Sequence, residues 1–290
     1  MSAVAASAVE TPERARAPHL LSNVGPEDVL DTPFVHFTSR SMVPQDVYAA
    51  LEADFPSLDM ILNGGSVGNN QAVRMTVKQV LNDRRISPLW RDFFEYHTSA
   101  DYWRDVVRVF GDRFRRAFPD LEQRIGRRYE DWRVVPRGFA GEADIHLDCQ
   151  FVMNTPVTEV GSVKTAHVDL CDKIFSALFY FRQAGDETPG ADFEIYRWRC
   201  DPRFIKHRAM DCDVEKVKTV KYEANAYACF LNSERAVHGV SPRGITNIPR
   251  RYINFIAELP LKAFEPTQLS KWQKMWHRHD VKAAAQDERY

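Results

Sequence analysis

The 290-residue chain carries 39 Lys and Arg against 40 Asp and Glu, a formal charge of -1, which gives no electrostatic reason to expect nucleic acid or an anionic membrane as partner. Its 44% apolar and 27% charged residues suit one large domain, or one core with helical additions, and no apolar run approaches a membrane span of roughly 20 residues. The cysteines, Cys149, Cys171, Cys200, Cys212 and Cys229, are odd in number and lack a Cys-x-x-Cys pair, so neither a disulfide framework nor a thiolate zinc site is indicated and a reducing cytoplasm is the simpler location.

Met1 to Ala17 is small and charged without a sustained apolar core, which does not fit a secretory signal, and residues 1-25 read as a disordered tail. Asp31 to Phe37 alternates as a strand. Pro44 followed by Gln45 to Phe55 predicts a helix with Pro in its first turn, its stripe being Val47, Tyr48, Leu51 and Phe55. Asn63 to Asn70 is a loop by composition, a connection or a mobile lid. Ser87-Pro88 opens a helix through His97. Ser99 opens another, in which Trp103, Val106, Val107, Phe110, Phe114 and Phe118 recur at helical spacing and pack on a sheet, while Arg104, Arg108, Arg113, Arg115 and Arg116 form a solvated face. Residues 26-131 are therefore a mostly helical support region.

From Trp132 the chain turns to short strands, expected at 132-135, 149-153, 166-169, 175-181, 193-198, 217-222, 226-231, 236-240 and 251-257. Their lengths, and the Gly, Pro, Asn and Asp between them, suit a double-sheet jelly roll of the cupin type over 132-262, with a closing helix from Gln268 to Arg278 in a 263-290 tail. The predicted class is α+β, a jelly-roll barrel (double-stranded β-helix) buttressed by N-terminal helices.

Within that region lies Thr165-Ala166-His167-Val168-Asp169-Leu170, and some seventy residues later Ala236-Val237-His238-Gly239-Val240 followed by Arg250-Arg251-Tyr252. Residues two apart on a strand point to one side, so His167 and Asp169 present an imidazole and a carboxylate together, and His238 can supply a third ligand. Two histidines and one carboxylate leave the opposite face of a metal open, the arrangement of non-haem Fe(II) oxygenases. Zinc also accepts such ligands.

This ordered set resembles the Fe(II)/2-oxoglutarate-dependent dioxygenase superfamily, closest to its prolyl-4-hydroxylase-like branch, over roughly Trp132 to Leu261. The resemblance implies Fe(II) held by His167, Asp169 and His238, and 2-oxoglutarate as co-substrate, its far carboxylate on an arginine of the strand after the distal histidine. Arg251 matches the Arg-Tyr motif and shares a strand face with Ile253 and Phe255, as a barrel-interior residue should; Arg250 is the alternative. Tyr180 reads equally as a core residue or as a co-substrate partner. The carboxylate at Asp169, where related halogenases carry a small residue, implies hydroxylation. The implied reaction converts 2-oxoglutarate and O2 to succinate and CO2 while oxidising a small polar metabolite, biosynthetic intermediate or glycan building block. A cupin-like protein that binds a metal or a sugar without oxidation is the rival reading.

Overall fold

The computed structural model describes residues 17-65, 68-162 and 164-276. Residues 1-16 of the expected tail, 66-67 of the Asn63 to Asn70 loop and 277-278 of the expected closing helix lie outside the described residues.

In chain order the elements are β1 (His36–Ser39), α1 (Gln45–Ala53), α2 (Leu58–Leu62), β2 (Ala72–Met75), α3 (Val77–Asn82), α4 (Pro88–His97), α5 (Ala100–Ala117), α6 (Leu121–Ile125), β3 (Val134–Pro136), β4 (Ile145–Asn154), β5 (Lys173–Tyr180), β6 (Phe193–Trp198), β7 (Phe204–Ile205), β8 (Arg208–Ala209), β9 (Val214–Val220), β10 (Tyr227–Leu231), β11 (His238–Val240), β12 (Arg250–Glu258) and α7 (Lys271–Trp276). The helix starts follow local chemistry. Ser87 caps α4 by accepting from the Trp90 amide, with Pro88 at the first helical position, and Ser99 caps α5 by accepting from the Tyr102 amide.

Two antiparallel sheets carry the C-terminal half. The larger has the order β1-β10-β5-β12-β4-β2, with β3 added parallel to β4, and the smaller has the order β11-β6-β9. The described strands form no closed barrel. The expected strand at 166-169 is also absent, because its backbone bonds run to two different neighbours. The His167 amide donates to the His238 carbonyl (2.8 Å) and the Val168 amide to the His207 carbonyl (2.9 Å), so isolated bridges to β11 and β8 replace a continuous ladder.

The larger sheet is buried on both faces. Cys149, Phe151, Phe179, Ile253 and Phe255 face the helices, where Trp90, Phe93, Phe94 and Phe110 complete the main core. Trp90 meets Phe151 with ring centroids 4.8 Å apart in a near-perpendicular contact, a geometry worth about 0.5–1.5 kcal/mol beyond simple burial. The other face turns Val152, Tyr180, Phe230 and Tyr252 towards Phe193 and Ile195 of the smaller sheet.

Two expectations about the N-terminal region are corrected. Leu20, Leu21 and Val24, assigned to the tail, are buried in the main core. Two arginines of the α5 face expected to be solvated, Arg108 and Arg113, hold this segment, while Arg104 and Arg116 remain exposed. Arg108 donates to the carbonyls of Leu21 (2.6 Å) and Val24 (2.8 Å), and Arg113 to Val29 (3.0 Å) and Asp31 (2.8 Å). A helical wheel cannot distinguish such a face from a solvated one, since a polar rim looks the same whether water or backbone carbonyls meet it. Among the described residues no helix is long and apolar enough to cross a membrane.

Candidate metal centre

His238 opens β11 and sits directly opposite His167. Each backbone amide donates to the other's carbonyl, at 2.8 and 2.9 Å, the closely spaced pair of an antiparallel ladder. The approach depends on Gly239, where a Cβ would lie 3.2 Å from the Thr165 carbonyl group. The two imidazoles end 4.3 Å apart, centroid to centroid.

Both rings are oriented by their own backbone. His167 Nδ1 lies 2.8 Å from the Thr165 carbonyl and His238 Nδ1 lies 2.9 Å from the Ala236 carbonyl. A carbonyl can only accept, so each Nδ1 carries the proton and each Nε2 keeps its lone pair. Those Nε2 atoms stand 3.8 and 4.0 Å from Asp169 Oδ1. One donor atom from each of the three residues lies within 4.8 Å of the others. Burial lowers the pKa of both histidines, which keeps them neutral. Burial opposes the charged form of Asp169, but nearby positive charge, led by Lys173 and joined by Lys164, outweighs it and holds the carboxyl well below the usual range. Neutral imidazoles and an ionised carboxylate are the protonation states a metal needs.

Asp169 is itself fixed by residues that motif reading passed over. Ser176 Oγ donates to Asp169 Oδ2 (2.8 Å), which leaves Oδ1 facing the imidazoles. Buried Asn232 accepts from the Asp169 amide (3.2 Å) and donates to the carbonyls of Leu170 and Lys173 (2.9 Å each). Ser176 carries no sequence signal; Asn232 could have been flagged only as a polar residue ending an apolar strand. His238 packs between Phe230 and Phe193, at 4.4 and 5.4 Å between ring centroids.

The cluster opens into a cavity of about 780 Å³ between the sheets. Arg250 lines it, 2% exposed. Arg250 donates to Asn154 Oδ1 (3.2 Å) and to the Tyr180 hydroxyl (3.2 Å), and its guanidinium lies 4.5 Å from the Tyr252 ring centroid. Among the described residues no carboxylate pairs with it, and its Nε is buried without an acceptor. Arg251 points the other way. It pairs with Glu52 (2.9 Å), donates to the Phe181 carbonyl (3.0 Å) and lies over the Phe55 ring. The expectation that Arg251 faces the interior is therefore corrected. Ile253 and Phe255, whose face it shares, look towards the helices, and the cavity face is the polar one of Arg250, Tyr252 and Asn254. Tyr180 stands beside Arg250, buried.

The loop at 68-71 forms a cavity wall and is tied down, Asn69 Oδ1 accepting from the Thr158 amide (2.7 Å) and Asn70 Nδ2 donating to the Gly161 carbonyl (3.1 Å). Arg197 and Arg203 pair with Glu215 and Asp213 and do not line the cavity.

No protein-family model and no curated protein matches the chain. Several solved structures are similar to it at low identity. They include a prolyl-4-hydroxylase from Pseudomonas putida (14% identity, TM-score 0.40, 77% of this chain and 92% of that one). A prolyl-4-hydroxylase from Phytophthora capsici is similar over 86% of this chain and 68% of that one (12% identity, TM-score 0.47). An oxidoreductase of the 2OG-Fe(II) oxygenase family from Burkholderia pseudomallei is similar over 80% and 86% (11% identity, TM-score 0.38).

Proposed function

We propose that the protein is an Fe(II)/2-oxoglutarate-dependent oxygenase, a hydroxylase of a small polar metabolite, biosynthetic intermediate or glycan building block, with His167, Asp169 and His238 as metal ligands. The observation that carries this reading is the pairing, in one cavity, of the His-Asp-His cluster with a buried guanidinium that has no carboxylate partner among the described residues. A buried charge is costly unless paired, so Arg250 calls for an anion from outside the chain. Its free Nε and planar fork suit a carboxylate.

Each side chain has a defined task. His167 and His238 offer Nε2 lone pairs, and Asp169 offers Oδ1 while Ser176 holds its other oxygen. Arg250, braced by Asn154 and Tyr180, takes the far carboxylate of 2-oxoglutarate. Phe193 and Phe230 screen one side of His238 from water. Bound iron supplies O2 activation and C–H oxidation, with 2-oxoglutarate converted to succinate and CO2. The strand order β4-β12-β5-β10, facing β11-β6-β9, with Val157, Gly161 and His167 bridged to Thr246, Arg243 and His238, supports reading the core as a double-stranded β-helix.

The test is anaerobic. Fe(II) followed by 2-oxoglutarate should develop a weak visible charge-transfer band, lost in His167→Ala and Asp169→Ala, and aerobic protein should release succinate with a subset of a substrate panel. Metal binding with no response to 2-oxoglutarate would instead establish the non-oxidative, cupin-like reading.

A further inference from the structure

The cavity is far more cationic than the chain that builds it. The whole chain carries a formal charge of -1. Yet the ionised side chains lining the cavity are Arg74, Lys164, Lys173 and Arg250 against the single carboxylate of Asp169. On the oxygenase reading above, a divalent metal, Asp169, a doubly anionic 2-oxoglutarate and Arg250 cancel one another. The charges of Arg74 and Lys173 then remain in excess, with Lys164 adding to the positive field beside Asp169. Lys164 lies 3.9 Å from Asp169 Oδ1. Neither Arg74 nor Lys173 has a carboxylate within ion-pair distance among the described residues.

Arg74 occupies the most telling position. It lies on β2, opposite Val152 of β4, and Val152 in turn lies opposite Tyr252 of β12. This is the sheet face that carries Arg250, whereas Met75, the next residue on β2, is buried in the main core. The order β12-β4-β2 sets Arg74 two strands from Arg250, roughly 10 Å across the sheet. That spacing serves two separate anions better than one. Arg250 is buried and Arg74 is exposed, so the deep guanidinium meets the anion that binds first and the outer one meets a later arrival.

We propose that the primary substrate is an anionic small molecule carrying a carboxylate or a phosphate, and that Arg74 holds this oxyanion while Lys164 and Lys173 contribute the field that draws it in. This rests on the oxygenase reading. A cleft lined by one sign of charge concentrates ligands of the other, and guanidinium recognises both oxyanions through parallel hydrogen bonds. Charged residues also protect exposed edge strands from pairing. That role alone would need no inward placement and would leave anion binding untouched.

The experiment uses full-length protein loaded with Mn(II) and 2-oxoglutarate, and reads paramagnetic broadening of inorganic phosphate (³¹P) and of butyrate (¹H), with butyramide as the neutral control. Wild type should broaden at least one oxyanion and leave butyramide sharp. Arg74→Gln should weaken that binding at least tenfold, with an unchanged melting temperature and a 2-oxoglutarate affinity within twofold of wild type, and Arg74→Lys should retain part of it. Equal broadening by butyramide, or wild-type anion binding in Arg74→Gln, would overturn the proposal. So would a matching loss of 2-oxoglutarate affinity in Arg74→Gln, which would assign Arg74 to the co-substrate. Failure of wild type to bind 2-oxoglutarate would remove the oxygenase reading instead, and phosphate titrated against co-substrate-free Arg74→Gln and wild type would still judge the oxyanion site separately.

Discussion

Adjacent arginines with opposite orientations make the sharpest test of the site. Arg250→Ala removes a guanidinium that is 2% exposed and has no carboxylate partner among the described residues, so the missing charge is felt when an anion arrives. Truncating one partner of a buried, hydrogen-bonded charge pair costs about 2–5 kcal/mol, equivalent to a rise of roughly 30- to 4,000-fold in the dissociation constant of 2-oxoglutarate. Arg251→Ala removes the bonds to Glu52 and the Phe181 carbonyl and the contact with Phe55. That should lower stability by roughly 1–2 kcal/mol and leave co-substrate affinity within twofold. Anaerobic titration of the Fe(II) protein with 2-oxoglutarate, followed at the charge-transfer band, gives both constants, and urea unfolding gives both stabilities. Arg250→Lys should recover only part of the affinity, because an ammonium cannot reproduce the fork. The reasoning is refuted if Arg251→Ala weakens 2-oxoglutarate and Arg250→Ala does not.

Ser176→Ala should reduce metal affinity about 10- to 100-fold with little change in stability, because it frees Asp169 Oδ2 and lets the carboxylate turn; calorimetry with Co(II) measures it, and wild-type affinity would show that Asp169 needs no such support. Gly239→Val should cost about 1–3 kcal/mol and reduce metal binding, since its Cβ meets the Thr165 carbonyl group at 3.2 Å; an unchanged melting temperature and metal affinity would show that β11 and the 165-167 segment separate without penalty. His97 provides a pH prediction. It is buried in the helical core, donates from Nδ1 to the Phe93 carbonyl, accepts the Leu20 amide at Nε2, and has its pKa depressed by burial to about 3. Between its ordinary value of about 6.5 and that depressed value the unfolded chain binds the extra proton, so the stabilisation is complete above pH 6.5 and declines as pH falls, by roughly 2 kcal/mol at pH 5. Urea unfolding of wild type and His97→Gln at pH 7.5 and pH 5.0 should show that extra loss in wild type alone, and equal losses would contradict it.

Much of this protein is legible locally. Ser87-Pro88 and Ser99 mark two helix starts because the capping bond involves residues three apart in the chain. The strand over Phe193–Trp198 and the periodic stripe of α5 likewise follow from short-range pattern. His167, Asp169 and His238 could be selected together because their residue types could hold a metal even when far apart in the chain, and the fold brings one donor atom of each within 4.8 Å of the others.

What only the tertiary structure decided was direction. Alternation along Arg250–Glu258 separates Arg251, Ile253 and Phe255 from Arg250, Tyr252 and Asn254, but it cannot say which set faces the cavity. The larger sheet is buried on both faces, with its more apolar face spent on the helices, so the usual rule that the apolar face looks inward selects Arg251, which points away from the cavity. Likewise the cationic excess around Arg74 is invisible in a chain of net charge -1. Charge and face are sums over neighbours, and the neighbours of β2 and β12 are set by strand order, which no local stretch of residues specifies.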